Sequence, residues 1–374
     1  MKGKTILLRV DFNVPMRNEK ILDLTRIKAH LPTIKALLKQ KAKVIIISHL
    51  GRPEGKFKAE LKLDPIAKAL SKLLKRKVVK FDAAIGKEVE RKINELKPGD
   101  VALLENIRFY PGEAKNAKSF ASKLAKLGDL YVNDAFSVSH RAHASIEAIT
   151  KFIPSKPGPL LIKEYKTLKK LLEAPRRPFI VILGGAKVED KIEMISNFLK
   201  IADKIFITGL MAATFLFAAG FKVGKTFVDY RHLAFAKKNF RKLALPLDAV
   251  CAGSVAKAAK TFSIDQIPNN FIIFDMGKRT IEKIEFAVRK AKTIFWNGPP
   301  GFYEIKKFSS GTKELAKTIA NSKALKIAGG GDTISAIKKF KLEKKFSYLS
   351  LSGGAALEFL AGKKLPGLVA LGLQ

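Results

Sequence analysis

Ten short apolar runs alternate with amphipathic stretches along this chain, and each run is too brief for a helix yet long enough for a buried strand. In the first part they fall at 6–10, 44–48, 101–105 and 130–133. In the second they fall at 179–183, 204–208, 249–252, 271–274, 293–296 and 326–328. Ile27, Leu31, Ile34 and Leu38 give one intervening helix its apolar stripe, and Ile66, Leu70, Leu73 and Leu74 give another. Strand and helix in turn predict an α/β chain of doubly wound, mostly parallel, Rossmann-like sheets. Right-handed crossovers in such sheets gather ligands at the carboxyl ends of the strands, so the chemistry is expected in the loops that follow them.

A length of 374 residues predicts two such lobes. The stretch KFIPSKPGPL at 151–160 carries Pro154, Pro157 and Pro159 and precedes a helical stretch at 161–173, which reads as a hinge. The expected division is an N-terminal lobe at 1–158 and a C-terminal lobe at 159–361 that begins with the hinge helix.

The 71 Lys and Arg against 33 Asp and Glu give a net charge of +38 and point to anionic partners. The surplus is spread along the chain with no basic arm, and only 14 of the 71 are Arg, the better fork for base edges. A dedicated nucleic-acid module is therefore not predicted, and weak, salt-sensitive, nonspecific binding is expected as a by-product of charge. The longest uncharged stretch, 205–221, only touches the length of a membrane span. It reads instead as strand, turn and helix. Cys251 is the single cysteine, and the opening MKGKTILLRVDF lacks a secretion signal, so a reducing cytoplasm is the expected compartment.

The loops after the first four runs contain RVDFNVP (9–15), SHLGRP (48–53), ENIRFYPGE (105–113) and NDAF with HRAH (133–143). With Arg26, which opens the first helix, they aim Arg26, His49, Arg52, Arg108 and Arg141 at one crevice. Guanidinium forks suit phosphate and carboxylate, and their recurrence at strand ends sets them apart from solvated surface arginines. His140 and His143 have no cysteine near them and fit an anion contact better than zinc.

In the second part GGAKVEDK (184–191) is expected to open a helix with Lys187 and Lys191 on one face, where free amides favour phosphate. AGGGDT (328–333) repeats the arrangement: Asp332 suits a magnesium ion, and Thr333 suits a helix cap or a phosphate contact. WNGPPGFYE (296–304) offers a rigid wall and Glu304 as a ribose acceptor. AGFKVGKT (219–226) resembles a Walker loop, but Ala219 stands at the first required glycine, and it reads as a turn.

Taken together and in this order, RVDFNVP, HLGRP, NDAF with HRAH, GGAKV, WNGP, GGGDT and SGGAALEFLAG (352–362) closely resemble the phosphoglycerate kinase family over nearly the whole chain. The resemblance implies a two-lobed monomer that transfers the ATP γ-phosphoryl group to the carboxylate of 3-phosphoglycerate, reversibly, by hinge closure and without a general base. It also implies that residues 362–374 return to the first lobe. It would place 3-phosphoglycerate on Asp11, Phe12, Asn13, Arg26, His49, Leu50, Gly51, Arg52, Arg108 and Arg141. MgATP would lie on Lys187, Lys191, Asn297, Pro299, Glu304, Gly329, Gly330, Gly331, Asp332 and Thr333, with Gly209 and Gly277 near the adenine and Asp332 on the magnesium. Arg26, Lys187, Gly330 and Gly331 would surround the moving phosphoryl group. Two positions depart from the family pattern: Leu210, expected to reshape the adenine pocket, and Ser352, expected to alter the interlobe contact.

Overall fold

The computed structural model describes all residues from Met1 to Gln374 and divides into two compact units, Met1–Leu168 with Lys364–Gln374, and Lys169–Lys363. The division falls inside the helix Pro159–Glu173.

In the first unit six parallel strands, in chain order Thr5–Arg9 (β1), Lys43–Ile47 (β2), Val79–Lys80 (β3), Val101–Leu103 (β4), Leu130–Asn133 (β5) and Ser155–Pro157 (β6), form a sheet of order β3-β4-β2-β1-β5-β6. The strand side chains alternate between its faces. Leu7, Ile45 and Ile47 join the core on one side, and Ile6, Leu8, Val44 and Ile46 join the core on the other. The helix Thr25–Lys39 covers the second side with Ile27, Ile34 and Leu37. Pro157 sits in an edge strand, where its missing N–H costs the ladder little. The stretch read as a linker thus contributes a strand, and the following helix starts at Pro159, two residues earlier than expected. The terminal segment Lys364–Gln374 packs on this unit through buried Leu365 and Leu368, and Gly367 N–H donates to the Ser139 carbonyl at 2.9 Å.

The second unit holds Phe179–Leu183 (β7), Lys204–Ile207 (β8), Asp248–Ala252 (β9), Lys260–Ser263 (β10), Ile272–Met276 (β11), Thr293–Asn297 (β12), Leu325–Gly329 (β13) and Tyr348–Ser350 (β14). A parallel sheet of order β8-β7-β12-β13-β14 carries the core, with Trp296, Ile180 and Ile182 among its fully packed residues. The runs at 249–252 and 271–274 do not join that series. They pair antiparallel in a separate three-stranded sheet, β10-β9-β11. Four or five apolar residues look alike in either sheet, and only the partner strand decides the direction. The uncharged stretch at 205–221 is strand β8, a turn and the seven-residue helix Ala212–Ala218, and no helix of the chain is long and apolar enough to cross a membrane.

Candidate active site

In the first unit the loops after β1, β2, β4 and β5 deliver the predicted crevice residues to one place. Asp11 anchors it: its carboxylate accepts from Arg26 Nη1, Ser137 Oγ and the Asn13 amide, and its own amide donates to His30 Nε2 at 3.1 Å. His30 then presents Nδ1–H to Asp134 Oδ2 at 3.0 Å, and Asp134 Oδ1 accepts from the Leu160 amide at the start of the Pro159–Glu173 helix. Gly51 connects two other predicted residues, since its amide donates to Asn13 Oδ1 (2.9 Å) and its carbonyl accepts from Arg108 Nη1 (2.8 Å). Its φ of +62° and the crowding of any Cβ against Leu61 at 2.8 Å require glycine there. Arg52 is exposed, while Arg26, Arg108 and Arg141 are half-buried.

The electrostatics are those of crowded cations. Burial, then the neighbouring Arg9 and Arg141, lower Arg108 to about 9. Burial, then Arg9, Arg108 and Arg26, hold His49 well below the usual imidazole range, so it is neutral at physiological pH. His140 falls to about 4 by burial and the neighbouring Arg141. Like charges gathered this closely destabilise one another until an anion arrives.

Two predicted residues differ from the others. Phe12 is fully buried in the core, edge-on to His30, and Leu50 is 3% exposed with its amide and carbonyl both bonded to Asn106. Their side chains shape the loops and do not enter the crevice.

Sequence reasoning missed the support beneath the crevice. Arg9 closes β1 on the same face as Leu7 and is fully buried. It donates to Ser145 Oγ at 2.9 Å, to His49 Nδ1 at 3.2 Å and to the Val10 carbonyl. Glu113, also fully buried, accepts from Ser145 N (2.9 Å) and Ser145 Oγ (2.7 Å). Burial opposes its ionisation, but nearby His143 and Arg9 and the Ser145 bonds hold it below the ordinary carboxylate range. Asn106 is the second omission: its side chain bonds Leu50, Leu61 and the Arg108 amide.

In the second unit the loops after β7, β8, β12 and β13 meet. The backbones approach so closely that a Cβ at Gly298 (φ +90°) would overlap Gly184, and Gly184 and Gly185 donate to the carbonyls of Asn297 and Pro299, each at 2.9 Å. The segment 184–191 is not the helix expected. It runs as a loop to a single 3₁₀ turn, Glu189–Lys191, so Lys187 and Lys191 do not share a helical face. Lys187 is exposed. Lys191 is buried, donates to Asn297 Oδ1 at 2.7 Å and is lowered to about 8 by burial. Asn297 Nδ2 in turn donates to the Gly329 carbonyl at 2.8 Å.

Gly330, at φ +95°, caps the helix Gly331–Lys339, whose first amides have no partner within the helix. Thr333 is not the cap. Its Oγ1 accepts from the Gly298 amide at 2.7 Å and ties the helix to the loop after β12.

Beside this frame lies a cavity of about 230 Å³ lined by Gly185, Ala186, Gly209, Leu210, Phe274, Pro299, Pro300, Gly301, Phe302, Tyr303, Glu304 and Asp332. A narrow apolar slot edged by two carboxylates suits a flat heteroaromatic ring and its sugar. Leu210 does line it. Gly277 does not: it caps the helix Lys278–Lys290 against Asp248. Ser352 is buried at the start of the helix Gly353–Leu360. Of the two exposed carboxylates at the slot, Glu304 and Asp332, Asp332 stands at the start of the helix Gly331–Lys339 and could hold a magnesium ion carried by nucleotide phosphates.

The phosphoglycerate kinase family model matches residues 1–363. The chain is 49% identical to the phosphoglycerate kinase of Dictyoglomus turgidum, covering 99% of this chain and 96% of the relative, and 45% identical to that of Pelotomaculum thermopropionicum, covering 99% and 97%. The solved phosphoglycerate kinase of Coxiella burnetii superposes with a TM-score of 0.89 at 39% identity, covering 99% of this chain and 96% of that one. That of Pyrococcus horikoshii gives 0.89 at 34%, covering 100% and 96%. A cation-crowded crevice on one parallel sheet, a glycine-lined slot on another and this likeness over the full length lead to one conclusion: the chain belongs to the phosphoglycerate kinase family.

Proposed function

We propose that this chain transfers the γ-phosphoryl group of ATP to the carboxylate of 3-phosphoglycerate, reversibly, giving 1,3-bisphosphoglycerate and ADP. The observation that carries this reading is the crowding of the arginines Arg26, Arg108 and Arg141, beside neutral His49, in the loops after β1, β2, β4 and β5. Their mutual repulsion is relieved by an acid bearing both a phosphate and a carboxylate.

The acceptor carboxylate is ionised at neutral pH, because such groups titrate near about 4, and needs no general base. What remains for the protein is alignment, exclusion of water and positive charge around a loose phosphoryl group. Arg26, ion-paired with Asp11, supplies that charge from the first unit. Lys187 and the amides of Gly330 and Gly331 supply it from the second. Lys191 with Asn297 steadies the donor phosphates, Glu304 accepts from the ribose, and Asp332 would hold a magnesium ion, which would supply further charge neutralisation. Acceptor and donor groups belong to different units, so the reaction calls for a hinge movement that brings the reacting oxygens to roughly 3–3.5 Å. The enzyme is read as a cytoplasmic monomer.

A coupled assay with ATP, Mg²⁺ and 3-phosphoglycerate tests the reading. Turnover that needs all three supports it, and ATP consumption indifferent to 3-phosphoglycerate overturns it.

A further inference from the structure

Away from the loops after the strands, residues 217–242 concentrate charge and rings. They hold seven basic residues, Lys222, Lys225, Arg231, Lys237, Lys238, Arg241 and Lys242, against one acid, Asp229. All seven cations are exposed, and Asp229 is buried and accepts from His232 and Arg231. Only Arg231 is ion-paired, to Asp229 and Glu189. The other six have no counter-charge.

The same segment shows four rings to solvent: Phe227 at 69% and Tyr230 at 67% exposed, with Phe217 and Phe221 near 40%. Phe217 and Tyr230 meet edge to face with centroids 5.7 Å apart, which fixes the orientation of both rings. The exposed apolar surface of this segment consists of rings alone, with no large aliphatic side chain. Rings interleaved with unpaired cations provide what a single strand of nucleic acid requires, faces for its bases and charge for its phosphates. Insertion into lipid calls instead for a continuous apolar helix face, and the helix within this segment, Leu233–Asn239, has seven residues with Lys237 and Lys238 in its last turn.

We propose that this surface binds single-stranded nucleic acid, stacking bases on Phe227 and Tyr230 and holding phosphates with Lys222 and Lys225. The general surplus of charge gives any such chain some affinity, so the proposal is specific in assigning the stacking to these rings. None of the four residues belongs to the proposed phosphoryl-transfer site.

Fluorescence anisotropy of a labelled fifteen-residue oligo(dT), titrated with the full chain from 50 to 200 mM KCl, tests it. The Phe227→Ala/Tyr230→Ala variant is expected to bind about tenfold more weakly at every salt concentration, with the salt slope unchanged. The Lys222→Gln/Lys225→Gln variant is expected to flatten the slope by about 1.4, near 0.7 per phosphate contact. Kinase turnover of both stays at the parent value, which shows that they are folded. Unchanged oligonucleotide affinity in the ring variant overturns the proposal, as does displacement of the oligonucleotide by MgATP. Ring-dependent binding to vesicles of anionic and neutral phospholipid, in preference to the oligonucleotide, also overturns it and assigns the surface to membranes.

Discussion

Arg9 Nη2 donates to His49 Nδ1 at 3.2 Å, which leaves Nε2 carrying the imidazole proton on the side toward Asp11, 4.0 Å away. A buried arginine that never reaches the crevice thus selects the tautomer of a residue that does. Arg9→Lys keeps the charge beside Glu113 and shortens the fork that reaches His49. Its expected effect is a raised KM for 3-phosphoglycerate, an unchanged KM for ATP, and a His49 ring whose ¹⁵N shifts report mixed tautomers. Arg9→Met removes one buried cation that holds Glu113 ionised, leaving His143 and Ser145, and is expected to lose about 3 kcal/mol of stability, read by chemical denaturation.

Lys191 titrates near 8 in the free protein, because burial outweighs the attraction of Asp190 and Asp332. Below that pH it is a cation bonded to Asn297, and above it the cation is lost. The kcat/KM for MgATP is therefore expected to fall as pH rises through about 8, since that ratio reports the free enzyme. Lys191→Arg, charged throughout, moves the falling limb to higher pH. A profile flat to pH 9.5 contradicts the assignment.

Asp275 lies against Gly301 of the apolar slot, accepting from the Gly311 amide at 2.7 Å and the Met276 amide at 2.9 Å. Burial raises it from 3.8 to about 7 against the pull of those amides. A folded-state value above the unfolded one means a contribution to stability that is complete below about pH 3.8 and lost as pH rises through 7. Asp275→Asn, neutral at every pH, is expected to compare more favourably with the parent at pH 8 than at pH 5 in thermal unfolding. The reverse order contradicts this.

The crevice was legible in the sequence because parallel strands announce themselves as apolar runs and their topology dictates which ends bind. Arg26, His49, Arg52, Arg108 and Arg141 therefore stand out from local pattern alone, whereas Gly51 comes only from the family resemblance. Arg9 does not stand out, although it lies in the same motif. Its partner Ser145 is 136 residues away, and no local rule distinguishes a buried charge at a strand end from an exposed one. Lys191 was placed on a helix because GGAKVEDK follows a strand. The chain forms a loop and one 3₁₀ turn there, and the lysine turns inward to Asn297, a partner 106 residues on. The antiparallel placement of β9 and β11 was hidden for the same reason: pairing is a long-range property, and the residues of a strand do not state their neighbour.

The stacking of three glycine-lined turns against one another makes a further prediction about shape rather than charge. Gly298→Ala forces a Cβ into Gly184 at a left-handed φ, so it is expected to destabilise the second unit and weaken ATP binding while leaving 3-phosphoglycerate affinity, measured by titration, unchanged.

The measurement closest to the central claim is the turnover of Arg26→Ala beside the parent in the coupled assay. Cationic stabilisation of the transferring group predicts a kcat lower by roughly 10² or more, with KM for ATP nearly unchanged, as removal of a transition-state donor does. A variant that turns over at the parent rate contradicts the account.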